Sequence, residues 1–282
     1  MDMYTIIHRN LKDDGNEYKD RVVEKVRTYF EEVLNAVRSC NNDRLNYLSK
    51  YVHEAKYTSL GYSISGPGKG FGEDKFTFLV DSMKKSEAYS SGLISDVLDV
   101  ELYVDNVGVD IVSDLVTNLI QDVLSEYTEK KLNELKMGDK IRYVVTHYWD
   151  ETSREWKTKE MPTVFYTKSL GCKEYNYLLV PETFTADEKQ KERIIKKIFD
   201  DCVYQLYRDR VLSDEEKHSE YIHEYKNGDK EVYKKKVAKF INDEFGEGSA
   251  KEGNGYLTSK GLLDLINKYD VVKNFLDSVI KK

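Results

Sequence analysis

Between Lys85 and Lys130 the chain contains no lysine, arginine or histidine. It carries ten carboxylates there: Glu87, Asp96, Asp99, Glu101, Asp105, Asp110, Asp114, Asp122, Glu126 and Glu129. The same stretch is the most apolar and most regularly patterned part of the sequence, so it must build core and also place a one-sign set of charges. From Asp110 to Leu135 the residues Val112, Leu115, Val116, Leu119, Ile120, Val123, Leu124 and Tyr127 recur at i, i+3 and i+4. That spacing predicts an amphipathic helix, with Asp110, Asp114, Asn118 and Gln121 on the opposite face and Thr117 beside them. From Val97 to Val104 the alternation of Leu98, Val100, Leu102 and Val104 with Asp99, Glu101 and Tyr103 predicts a half-buried strand. Asp105, Asn106 and Gly108 predict the turn between strand and helix.

Removing the ten island carboxylates changes the charge picture. The 282 residues carry a net charge of −7, from 44 basic and 51 acidic residues. Without the island, 41 acidic residues face 44 basic ones. This is a near-neutral chain with one acidic feature, which disfavours a generally basic nucleic-acid binder and leaves room for local basic faces. With 40% apolar and 34% charged residues the composition is globular. Cys40, Cys172 and Cys202 are far apart, lack a CxxC spacing and predict reduced thiols, neither a disulfide frame nor a zinc site. The N-terminus lacks the order of a signal peptide, and no run of about 18 apolar residues exists to span a membrane. A cytoplasmic protein without a membrane partner is the expectation.

Helical spacing from Glu17 to about Ser39 predicts a long amphipathic helix, and Asn41 to Asp43 break it and cap a shorter one. Lys56 to Ser65 is β-branched and aromatic and predicts a strand, followed by a loop with glycines at 66, 68, 70 and 72 and a helix from Asp74 to Lys85. Ile141 to Trp149 and Glu155 to Phe165 predict a strand pair around a turn at Asp150 to Arg154, and Tyr175 to Val180 a further strand. After Pro181 the period becomes helical. Capping boxes at Thr185–Glu188 and Ser213–Glu216 predict two helix starts, Asn227-Gly228 a turn into a helix from Lys230 to Phe245, and 259–268 and 271–280 two closing helices. The fold class is therefore α+β: a mixed domain over 1–182, with a small sheet packed by helices, then an all-helical part over 183–282 with a flexible linker near 246–255.

Three places could carry chemistry. The first is the predicted strand–turn–helix junction, where Glu101, Asp105, Asp110 and Asp114 would converge. Two or more carboxylates without a nearby cation suit Mg²⁺ or Mn²⁺, with Asp105, Asp110 and Asp114 as ligands and Lys56 in a composite site with Glu54. The competing account makes Asp110 a helix cap, Asp114 a first-turn acid favoured by the macrodipole, and Glu101 the solvated face of an edge strand. The second is the glycine-rich loop, where Gly68 and Gly70 could cradle an anion or nucleotide. Neither the P-loop nor the dinucleotide pattern is completed, and Glu73 would repel a phosphate. The third is basic: Lys189, Lys191, Arg193, Lys196 and Lys197, and later Lys234, Lys235, Lys236 and Lys239. Each run is either a solvated helix face or a phosphate-contacting surface. Trp149, Trp156 and Tyr148 fit cross-strand packing better than a base-stacking platform, and His218 and His223 are one position off the helical zinc spacing.

The series Leu60-Gly-Tyr-Ser, Gly92-Leu, Asp99-Val-Glu-Leu, Val107-Gly-Val-Asp110-Ile-Val-Ser-Asp114-Leu-Val-Thr-Asn118 and Tyr127-Thr resembles uncharacterised bacterial and phage proteins found near mobile elements and anti-phage genes. The likeness covers about residues 54–182. It implies a setting of conflict between bacteria and phage and transfers no catalytic residue. The readings that compete are a metal-dependent enzyme acting on nucleic acid or nucleotide phosphates, a non-catalytic component that docks a partner protein, and an anion-sensing module.

Overall fold

The computed structural model describes residues 1, 3–8, 14–52, 72–104, 106–167, 174–185, 190–251 and 256–280. Backbone contacts divide the chain into two units, Met1–Glu101 with Asn106–Asp187, and Leu102–Asp105 with Glu188–Lys282.

The first unit begins with helix α1 (Met3–His8) and a 3₁₀ turn at Asp14–Tyr18, which lead into α2 (Lys19–Arg38). The stripe of α2 is buried as its spacing requires: Val22, Val26, Tyr29, Phe30, Val33, Leu34 and Val37 are all inside. Asn41 caps α3 (Asn42–Ser49), its Oδ1 accepting from the Arg44 amide at 2.9 Å. The expected strand from Lys56 and the glycine loop through Gly70 lie outside the described residues. Helix α4 (Glu73–Lys85) buries Phe76, Leu79, Val80 and Met83, and Ser86 caps the single turn α5 (Glu87–Ser90).

The alternating segment is not a strand. It forms α6 (Val97–Tyr103), and its start explains why. Asp96 accepts from the Leu98 amide at 2.9 Å, while Asp99 reaches back to the amides of Ser95 and Asp96 and the Ser95 hydroxyl, each at 2.9 Å. This reciprocal N-terminal cap outweighs an alternating pattern of seven residues. The predicted 110–135 helix is two helices, α7 (Val109–Leu119) and α8 (Gln121–Glu134), with the break at Ile120. Just before it, Thr117 Oγ1 and Asn118 Nδ2 bond the carbonyls of Ser113 and Asp114 at 2.7 and 3.1 Å, a competition that bends helices. The stripe is buried from Val112 to Leu124, with Tyr127 half-buried. The supposed outer face is split: Asp110 is exposed and Asp114 half-buried, but Thr117, Asn118 and Gln121 are buried, at 4%, 3% and 8% exposure.

Strands β1 (Ile141–Asp150), β2 (Glu155–Thr167) and β3 (Glu174–Tyr177) form an antiparallel sheet in that order, with Trp149 opposite Trp156. Trp149 is fully buried, donates Nε1 to Thr28 Oγ1 at 3.1 Å and meets Tyr29 edge-on at 5.0 Å. Trp156 Nε1 bonds the Leu48 carbonyl at 3.2 Å, so the pair nails the hairpin to α2 and α3. Helix α8 lies on β2, with Ser125 Oγ on the Pro162 carbonyl at 2.7 Å.

In the second unit, α9 (Gln190–Ile198) runs through a π-helical turn at Phe199–Val203 into α10 (Tyr204–Ser213). The capping box at Ser213 opens no helix. Asp214 closes one turn on the Lys217 amide at 3.3 Å, and 217–224 has too few apolar residues at helical spacing to continue it. Instead a two-stranded ladder forms, β4 (His223–Glu224) with β5 (Lys230–Glu231), and α11 starts late, at Lys234–Phe245. The C-terminal part is therefore mostly, not wholly, helical. The expected linker is also corrected over its described part. Ser249 and Ala250 are 0% and 4% exposed, and Asn242 holds Ala250 by both amide atoms at 2.9 and 2.8 Å. Here β6 (Ala250–Lys251) pairs with β7 (Tyr256–Leu257), and α12 (Ser259–Lys268) and α13 (Asp270–Ile280) follow as predicted. Glu244 ties the unit together, receiving Arg210, Lys268, Tyr207 and Tyr269. Burial alone would raise its carboxyl, but those four donors hold it at about 2.

Candidate functional sites

The acidic junction is dispersed in its described part. Glu101 is on helix α6 instead of a strand edge, and Asp99 is spent on capping. Asp110 is exposed in the first turn of α7, its Oδ1 folded back over Gly108 so closely that a Cβ there would meet it at 2.5 Å. Asp114 does have a cation beside it, Lys75 at 2.9 Å. Among the described residues no three His, Cys, Asp or Glu side chains are grouped as a metal site requires. Asp105, Lys56, Gly68 and Gly70 lie outside the described residues. So does Cys172, whereas Cys40 is an exposed free thiol and Cys202 a buried one.

What the first unit does assemble is an ionic centre under the hairpin. Lys25 from α2 and Asp122 from α8 are both fully buried and lie 3.0 Å apart. Asp122 also takes Arg21 at 2.6 Å, and Lys25 takes Glu151 at 2.7 Å and the Trp149 carbonyl. Glu126 joins through Arg21 at 2.6 Å and Lys159 at 3.2 Å, and the Tyr148 ring lies between Lys25 and Lys159, 5.2 and 5.0 Å from their ammonium nitrogens. Burial pushes the Asp122 carboxyl up against the pull of Lys25 and Arg21. Burial likewise lifts Glu151, but the Lys25 hydrogen bond brings it below its ordinary value. Three cations thus answer three carboxylates. The exception is Asp122 Oδ1, buried without a hydrogen-bond partner. The sequence carried a signal for this centre. Lys25 falls inside the apolar stripe of its helix, and Asn118, Asp122 and Ser125 follow one another at helical spacing.

The second unit offers a surface with less internal pairing. Lys234, Lys235 and Lys236 occupy the first turn of α11, where no acidic residue stands. Lys234 reaches Asp200 at 2.6 Å, but Lys236 ends on the Glu220 carbonyl at 2.7 Å and Lys235 lies over the Tyr233 ring at 5.8 Å. The rings of His223 and Tyr225 are exposed beside them. Arg193, Lys196 and Lys197 on α9 are exposed as well.

These features define a mixed helical and antiparallel-sheet domain closed by an ionic centre, with a second unit following it in sequence. The chain belongs to the family described as Domain of unknown function (DUF8370), which matches residues 8–192. Comparison with curated proteins and with solved structures returned no match. Among the described residues no helix is long and apolar enough to cross a membrane.

Proposed function

We propose that the chain is a nucleic-acid-contacting protein of the cell interior, working in conflict between bacteria and phage, with phosphate contacts supplied by its second unit. One observation carries the reading: three lysines at the N-terminal turn of α11. A helix N-terminus is already positive, so each lysine there costs about 0.3–1 kcal/mol, a cost that a polyanion offsets. Binding of labelled single- and double-stranded DNA and RNA across a salt series tests it. Log affinity should fall linearly with log salt, and replacing Lys234, Lys235 and Lys236 by Glu should weaken binding and flatten that slope by about one per lysine. Affinity indifferent to salt or to the triple change would overturn it.

The non-catalytic form of this reading is favoured because Asp114 is committed to Lys75 and Glu101 stands on a helix. A melting-temperature screen with Mg²⁺ and Mn²⁺ checks that point, and no shift is expected. A Mn²⁺-dependent rise that Asp110→Ala removes would move the chain to the metal-dependent hydrolases. Tyr143 and Val145, 60% and 67% exposed on one face of β1, favour a second reading in which the first unit docks a partner protein. Changing both to Thr would then abolish the complex while leaving the melting temperature unchanged.

A further inference from the structure

Three rings meet at the β4–β5 hairpin and the start of α11: His223 and Tyr225 are exposed, and Tyr233 is half-buried. His223 meets Tyr225 edge-on at 4.6 Å and Tyr233 at 5.2 Å, and the hydroxyls of Tyr225 and Tyr233 are 2.7 Å apart. Tyr225 also donates to Glu231. These bonds fix the ring orientations, yet Tyr225 keeps 41% of its surface in solvent. Packing does not account for an aromatic group held rigid and left wet. A shallow open depression lined by Tyr225, Lys226, Asn227 and Asp229 adjoins the rings at the Asn227-Gly228 turn, Lys235 lies beside Tyr233 with its ammonium 5.8 Å from the ring, and Lys230 and Lys234 are near in the chain. Carboxylates are interspersed: Glu224, Asp229 and Glu231 on the hairpin, with Glu215 on Lys230 and Asp200 on Lys234.

The mixture of charge decides which polyanion fits. A duplex hides its bases and presents two unbroken rows of phosphate, so it needs a continuous positive face, which this hairpin lacks. A single strand is flexible enough to carry its phosphates past isolated carboxylates, and it exposes base faces that stack on tyrosine regardless of sequence. We propose that His223, Tyr225 and Tyr233 form a stacking platform for one or two bases of single-stranded nucleic acid, with the lysines at the start of α11 on the adjoining phosphates. This rests on the reading of the second unit given above.

The test compares the full chain with its Tyr225→Ala and Tyr225→Phe variants on three probes: a single-stranded oligonucleotide, the duplex of the same sequence, and inorganic polyphosphate, which has charge and no bases. The chain should prefer the single strand to the duplex. Tyr225→Ala should lose at least about fivefold on the single strand and nothing on polyphosphate, and Tyr225→Phe, which keeps the stacking ring but loses the hydroxyl bonds that orient it, should lose less than Tyr225→Ala. Equal weakening on both probes, an unaffected Tyr225→Ala, or a preference for the duplex overturns the platform while leaving phosphate binding in place. Failure of the unaltered chain to bind any of the three overturns the phosphate reading and the platform together.

Discussion

Lys25 shows what one residue can demand of a fold. A lysine at 0% exposure is tolerable only with its charge answered, and Asp122, Glu151 and the Trp149 carbonyl answer it. Removing one partner is therefore worse than removing both. Asp122→Ala should cost about 3–5 kcal/mol in urea unfolding, since it leaves a buried ammonium short of charge, while Lys25→Met with Asp122→Leu should recover most of that loss. Recovery would show that the centre is a stabilising device that packing can replace; no recovery would point to strain elsewhere. At this scale the sequence was partly legible. The position of Lys25 within an apolar stripe is visible in the helical spacing, but its partners come from α8 and from the turn after β1, which no local pattern connects. The acids singled out from the sequence stood out because they were clustered in the chain, and among the described residues no three of them are grouped as a metal site requires. Asp99 turned inward to cap, and Asp114 met Lys75.

Whole elements were legible where their period was complete. Helices α2, α12 and α13 and the β1–β2 hairpin were expected because each has an uninterrupted stripe or alternation and a recognisable boundary. The ladders β4–β5 and β6–β7 were not, since two-residue strands have no period to read. Helix α6 departs from its alternation for a related reason: seven residues of alternation are weaker than a cap whose acceptor is Asp99. Asp99→Ala should lower stability by about 1–2 kcal/mol in thermal unfolding, and a much smaller loss would mean that packing of Val97, Val100 and Leu102 holds the helix without its cap. Gly261 in α12 makes a sharper case. A Cβ there would meet the Ser249 carbonyl oxygen at 1.9 Å, and that atom is backbone and cannot swing away. Gly261→Ala should therefore destabilise the second unit despite alanine's better helix propensity, with a lower melting temperature as the readout.

At the scale of the molecule, the family match ends at residue 192, within a few residues of the division at Asp187 and Glu188, so the second unit lies almost wholly beyond it. Its acid response should be its own. Glu244 is held at about 2 against an ordinary 4.5, so its contribution is complete above about pH 4.5 and is lost as pH falls toward 2. That contribution is about 2–3 kcal/mol. Glu244→Gln should lower stability at neutral pH and remove that part of the acid loss, checked by melting temperature between these limits. In the first unit Asp150, which Lys157 and Ser153 hold at about 2 against an ordinary 3.8, supplies a smaller acid loss as pH falls through that range.

The tryptophan hairpin has a spectroscopic consequence. The chain has two tryptophans among 22 tyrosines, and both are in the β1–β2 pair of the first unit. Indole emission is then a private channel for that unit, starting blue-shifted in a dry setting and moving red only when the hairpin leaves α2. Circular dichroism, dominated by helices from both units, follows the two together. If the units melt independently, the two traces will part company, and the gap between them measures the stability of the second unit without cutting the chain.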